Sequence, residues 1–146
     1  MNKRRIGFSR ERELARILWK KGFAVIRAPA SGAKARKLSY PDIVAIKNRV
    51  VLAIEVKTKE KPGTIYIDKR QVKKLLEFTR RSGGLGFIAI KIMDGRGWRF
   101  IPIEKLEVTR GGNYKVSIDT IDSGLLLKDI VRLGESITSL DKWLSS

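Results

Sequence analysis

The sequence predicts an α/β domain, a mixed five-stranded sheet flanked by helices. Three observations predict it. The candidate elements run helix, three strands, helix, two strands, the order of a sheet with helices packed on it. The 146 residues are the length of one domain. At that size about 68–70% of the unfolded surface can be buried. Apolar residues make up 42% of the chain, which suits a packed core and not a disordered tail.

The elements follow in order. A basic arm covers residues 1–6. An amphipathic helix is expected over residues 8–21, with Ser9 as N-cap, Leu14, Ile17 and Leu18 inward, and Gly22 just past its end. Phe23 to Ala28 is a β-prone run, and residues 29–41 are a basic loop of small residues. Asp42–Ile46 and Val50–Lys57 are strands joined through Lys47, Asn48 and Arg49. A charged loop with Pro62-Gly63 leads to a brief extended segment, Ile65–Ile67. Asp68 opens a helix over about 69–82, with Gln71 completing a capping box and Gly83-Gly84 ending it. Gly86–Ile92 and Trp98–Ile103 are two further strands, and helices are expected near 125–133 and 137–144. No linker divides the chain, so a single domain over 1–146 with a helical tail from about 137 is expected.

Charge narrows the function. Lys and Arg number 32 against 15 acidic residues, a net charge of +17, which calls for a polyanion or an anionic surface as partner. The chain has no His and no Cys. That excludes Ser-His triads, thiolate nucleophiles, disulfides and zinc fingers. Any metal must be held by oxygen, which favours Mg2+ or Mn2+. There is no run of 18 apolar residues and no apolar stretch behind the first five residues, so an intracellular protein of cytoplasm or nucleoid, with no membrane partner, is expected. Asn occurs three times and Gln once while 32% of residues are charged, the composition of a thermophile protein.

The strongest local feature is Pro41-Asp42 followed by Glu55-Val56-Lys57. If the hairpin closes symmetrically around Asn48-Arg49, Lys47 faces Val50 and the ladder carries Asp42 opposite Glu55. Opposed side chains share a face, with Cβ atoms about 4.5–5.5 Å apart. Lys57 falls on that face too, while Leu52, Ile54 and Val56 point to the other. Two opposed carboxylates repel unless a cation or a proton joins them. An all-oxygen metal site resolves that repulsion. A solvated sheet face, with Glu55 and Lys57 simply paired, fits the same spacing. Glu11 is a third acid. On the first helix it clusters with Gly7, Leu14, Ala15 and Leu18, whereas Glu13 lies with Arg12, Arg16 and Lys20 on the solvated side. A carboxylate in an apolar stripe must be paired or bound to metal, so either a salt bridge with Arg27 or Lys57 or a metal site follows.

Together, Gly7 with Glu11-Arg12, Gly22-Phe23-Ala24-Val25, Arg27-Ala28-Pro29-Ala30-Ser31-Gly32, Pro41-Asp42 and Ile54-Glu55-Val56-Lys57 resemble the archaeal Holliday junction resolvases of the PD-(D/E)xK nuclease superfamily. The resemblance is densest over residues 7–57. It implies a restriction-endonuclease-like fold and a metal-dependent, structure-specific endonuclease. Such an enzyme resolves four-way DNA junctions by paired phosphodiester hydrolysis during recombination and repair. It implies Asp42, Glu55, the Val56 carbonyl and Glu11 as metal ligands, with Mg2+ as cofactor and Mn2+ as substitute. It implies that Lys57 orients or activates water or offsets developing charge, and that Ser31 contacts the scissile phosphate. Some superfamily members have an active-site glutamine after the ExK strand, a place Gln71 could fill, but the capping role read above is preferred. Arg4, Arg5, Arg12, Arg27, Lys34, Arg36, Lys37, Lys69, Arg70 and Lys73 are expected to bind nucleic acid, with Lys74, Arg80 and Arg81 crowding the same helix as the last three. A two-fold homodimer would match the symmetry of a junction. Leu140 to Leu144 weakly resembles a sliding-clamp-binding peptide, although Ile137 stands where that motif has Gln; a terminal amphipathic helix packed on the domain is the favoured reading. Two alternatives compete. One is another nuclease of the superfamily, of restriction or flap type. The other is a non-catalytic basic nucleic-acid-binding protein, which would have no use for Glu11, Asp42, Glu55 and Lys57.

Overall fold

The computed structural model describes residues 3–28 and 40–135. Helix α1 (Lys3–Lys20) is followed by strands β1 (Ala24–Arg27), β2 (Ile43–Lys47), β3 (Val50–Lys59) and β4 (Ile65–Ile67). Helix α2 (Lys69–Ser82), β5 (Leu85–Ile92), β6 (Trp98–Pro102), β7 (Glu107–Val108), β8 (Tyr114–Val116), α3 (Ile118–Asp122) and α4 (Leu127–Leu133) complete it. The main sheet has five strands in the order β1-β2-β3-β5-β6. Only β3 and β5 are parallel, with α2 in the crossover between them. This is the mixed five-stranded sheet expected from the element order.

Register decides where the acids go. Strands β2 and β3 pair from Lys47↔Val50 to Ile43↔Ile54, the symmetric closure read from the sequence. Asn48 and Arg49 both take positive φ, 49° and 69°, as a two-residue type I′ turn requires. The Asn48 side-chain amide also donates to the Gly134 carbonyl at 2.8 Å, tying this turn to the end of α4.

Both faces of the sheet are covered. On one, Leu14 and Leu18 of α1 and Ile130 of α4 pack on Leu52, Ile54, Ala89 and Phe100. On the other, Val72 and Leu75 of α2 and Ile121 of α3 pack on Ala53, Ile88, Ile90 and Ile101. The near-continuous apolar run of β5 is therefore that of a strand buried on both faces.

Three expectations need correction. Helix α1 starts at Lys3, so residues 3–6 are helical and not an arm, and Ser9 lies inside the helix instead of capping it. Strand β3 runs on to Lys59 through part of the expected charged loop. A second sheet, β4-β8-β7, was not foreseen, and neither was α3. The tail helix over 137–144, the clamp-like peptide and most of the basic loop lie outside the described residues.

The two glycines after α2 do different work. Gly83 caps the helix at φ 70°, while a Cβ on Gly84 would sit 2.4 Å from the Val51 carbonyl oxygen. Backbone cannot yield as a side chain can, so Gly84→Ala should destabilise the protein by about 1–3 kcal/mol. A urea midpoint matching wild type would contradict this close approach.

Candidate active site

The hairpin places Asp42 one step before β2, where the register continues to Glu55. The Asp42 carboxylate is anchored by the backbone, with Oδ2 accepting the Val56 N–H at 2.8 Å. Glu55 lies on the α2 side with Ala53 and is only 5% exposed, which rules out the solvated-face alternative. Burial pushes its carboxyl up to about 9, and the charge and hydrogen-bonding reach of Asp42 push the same way. Lys57 draws it down, but by less.

Glu11 reaches the same place from α1. Burial first, and then Asp42, raise its carboxyl to about 7. Arg27 stands at the edge of ion-pair range, Nη2 to Oε2 4.0 Å, and offsets only part of this. The Arg27 half of the salt-bridge alternative is thus present, yet it leaves the acid under strain. Asp42 is the hub, its charge raising the carboxyls of both Glu11 and Glu55.

Lys57 pairs with neither acid. Its Nζ donates to Gln71 Oε1 at 2.6 Å. The helix is capped by Asp68, whose Oδ1 accepts from Arg70 N at 2.7 Å, and by Asn113, whose Oδ1 accepts from Lys69 N at 3.0 Å. The capping box expected of Gln71 is therefore corrected: Gln71 orients the lysine. A signal for this was present. Gln71 is a polar residue on the face of α2 that continues through Leu75 and Phe78, as Glu11 is on α1.

The donor set suits a hard divalent ion. Asp42 neighbours both Glu11 and the buried Glu55, and the raised carboxyls of these two hold their protons more tightly than free ones do. A cation placed among them would displace those protons. As placed, no group of three acidic side chains among the described residues is already close enough to hold an ion. Val56 contributes its backbone to the site through the N–H that fixes Asp42. Ser31, Lys34, Arg36 and Lys37 lie outside the described residues, as do the side chains of Arg4 and Arg5.

The other basic residues divide. Arg12, Lys69, Arg70, Lys73 and Lys74 are exposed. Arg80 and Arg81 are not spare cations, because both bind Glu77 at 2.7 Å. Glu13 is not simply solvated either: it pairs with Arg10 and takes Lys91 Nζ at 2.5 Å, pinning α1 to β5.

A mixed five-stranded sheet with a Pro-Asp and a Glu-x-Lys facing each other across one hairpin, and a helix-borne Glu beside them, defines an α/β fold of the nuclease class. Comparison with known proteins makes this specific. The family model of the archaeal Holliday junction resolvase (Hjc) matches residues 2–139, and the chain belongs to that family. It is 46% identical over 140 residues to the crossover junction endodeoxyribonuclease Hjc of Sulfurisphaera tokodaii, covering 94% of this chain and 95% of the relative. It is 38% identical over 146 residues to the protein of that name from Sulfolobus acidocaldarius, covering 99% and 100%. The structure of Archaeoglobus fulgidus Hjc, a Holliday junction resolvase from an archaeal hyperthermophile, superposes with a TM-score of 0.75 at 34% identity, covering 86% of this chain and 94% of that one. Among the described residues no helix is long and apolar enough to cross a membrane.

Proposed function

We propose that this chain is a metal-dependent, structure-specific endonuclease that hydrolyses phosphodiesters in four-way DNA junctions, working as one nuclease domain at the chromosome in the nucleoid. One observation carries the reading. Opposed carboxyls at Asp42 and Glu55, with Lys57 held beside them, stand in a chain of net charge +17. A protein that only grips phosphate gains nothing from acids where phosphate should lie.

Asp42, Glu55, the Val56 carbonyl and Glu11 would hold the ion, Mg2+ or Mn2+ in its place. When bound, it supplies Lewis acidity at the phosphate. The chain does the rest. Gln71 takes one N–H of the Lys57 ammonium, leaving two donors for phosphate oxygens whose charge grows in the transition state. Arg27, beside Glu11, adds a second cation at the edge of the site. Lys69, Arg70, Lys73 and Arg12, with Ser31, Lys34, Arg36 and Lys37, contact the backbone without reading bases. Two copies related by a two-fold axis would place two such sites for the paired cuts.

Chelation should therefore stop cleavage and leave junction binding in place. Binding itself should be steeply salt-dependent, with log K against log salt falling at a slope on the order of −5 or steeper. A flat salt dependence, or cleavage that survives chelation, would contradict the proposal.

A further inference from the structure

The end of β3 beyond Lys57 opens into a groove of about 500 Å3. Lys57, Lys59, Lys61 and Glu60 line it together with Tyr66 and Met93. Its frame is fixed by hydrogen bonds: Lys59 Nζ donates to the Thr64 carbonyl at 3.1 Å, and the Met93 N–H donates to the Lys59 carbonyl at 2.8 Å. Strand β4 turns Ile65 and Ile67 into the core and leaves Tyr66 outward, 70% exposed, with Met93 40% exposed. A scattered exposed aromatic needs no explanation. This one shares a groove with the lysine of the candidate active site.

The groove combines three ammonium groups, a single carboxylate, a flat aromatic face and a soft thioether. A nucleotide matches that set, because its base stacks on the ring and its phosphates meet the cations. We propose that Tyr66 is a stacking platform for an unstacked base next to the scissile phosphate, with Lys59 and Lys61 on the adjoining phosphates. This rests on the junction-resolving reading and deepens it. In continuous duplex both faces of every base are covered by neighbours. At a branch point the stack is interrupted and a base face is available. Tyr66 then helps to distinguish branched DNA from linear duplex, independently of the carboxylates that cut it.

The test uses a four-way junction carrying 2-aminopurine at the nucleotides that flank the branch point, titrated with the full chain in chelator so that the DNA stays intact. Wild type and Tyr66→Phe should quench the probe, because both retain the ring. Tyr66→Ala should leave it brighter and bind the junction about tenfold more weakly, with affinity for linear duplex and melting temperature unchanged. Equal fluorescence and affinity in all three proteins would overturn the assignment. So would a Tyr66→Ala variant that loses duplex and junction binding alike. Failure of the wild type itself to prefer the junction over duplex would instead overturn the resolvase reading, and the two failures are distinguishable.

Discussion

Asp42→Asn should abolish junction cleavage, lowering the rate on the order of 10³ or more, while the fold and junction binding survive. Asn is nearly isosteric, and its amide oxygen can still accept the Val56 N–H that now holds Oδ2 at 2.8 Å. What disappears is the negative charge at the hub of the three acids. The proposed divalent ion would lose a ligand. Binding rests on Lys and Arg elsewhere, and removing a negative charge close to phosphate should leave affinity equal or tighter. Rate, melting temperature and junction affinity measured on one purified variant separate the cases. If Asp42 merely began a strand, none of the three would change. If it were essential to folding, melting temperature and affinity would fall together.

Glu55→Gln should be inactive yet more stable than wild type at alkaline pH without metal. The sign follows from the proton. The folded protein raises this carboxyl from 4.5 to about 9, so the native state holds its proton more tightly than the unfolded chain does. Its stabilising contribution is fully present below the unfolded value and is lost as pH rises toward the folded one. Glu11, raised to about 7, acts in the same direction over a narrower range. Gln cannot ionise and escapes the larger penalty. In chelator the variant should melt close to wild type near pH 5, and on the order of 5–10 °C above it near pH 9. Added Mg2+ should raise the melting temperature of the wild type at alkaline pH, and that of the variant much less. Parallel melting curves across this range would show that the Glu55 carboxyl is not under the strain described.

Much of the fold and of the site is legible from residues alone, and for identifiable reasons. The β2–β3 register follows from a two-residue turn at Asn48-Arg49, and that register alone brings Asp42 to Glu55. Glu11 is visible as an acid in an apolar stripe. Helix α2 is legible at both ends because Asp68 and Gly83 are strong local signals. The small β4-β8-β7 sheet is not, since strands of two or three residues carry no periodicity and exist only through pairings such as Tyr66↔Lys115. The start of α1 escapes notice because its run of basic residues reads as an arm. The partners of Glu13 and Gln71 are not legible, although the place of Gln71 on the inward face of α2 is. Each takes its partner, Lys91 or Lys57, from a distant strand, and sequence spacing along a helix does not contain that contact.

The most direct test compares single-turnover cleavage of a labelled four-way junction with cleavage of a linear duplex of the same arm sequence, in Mg2+ and in chelator. Paired cuts in the junction that require the metal are expected, with no comparable cutting of the duplex. Equal rates on both substrates would make the chain a general nuclease of the same fold. No cleavage of either with Mg2+ or Mn2+ would leave only a basic binder, and would contradict the catalytic roles of Asp42, Glu55 and Lys57.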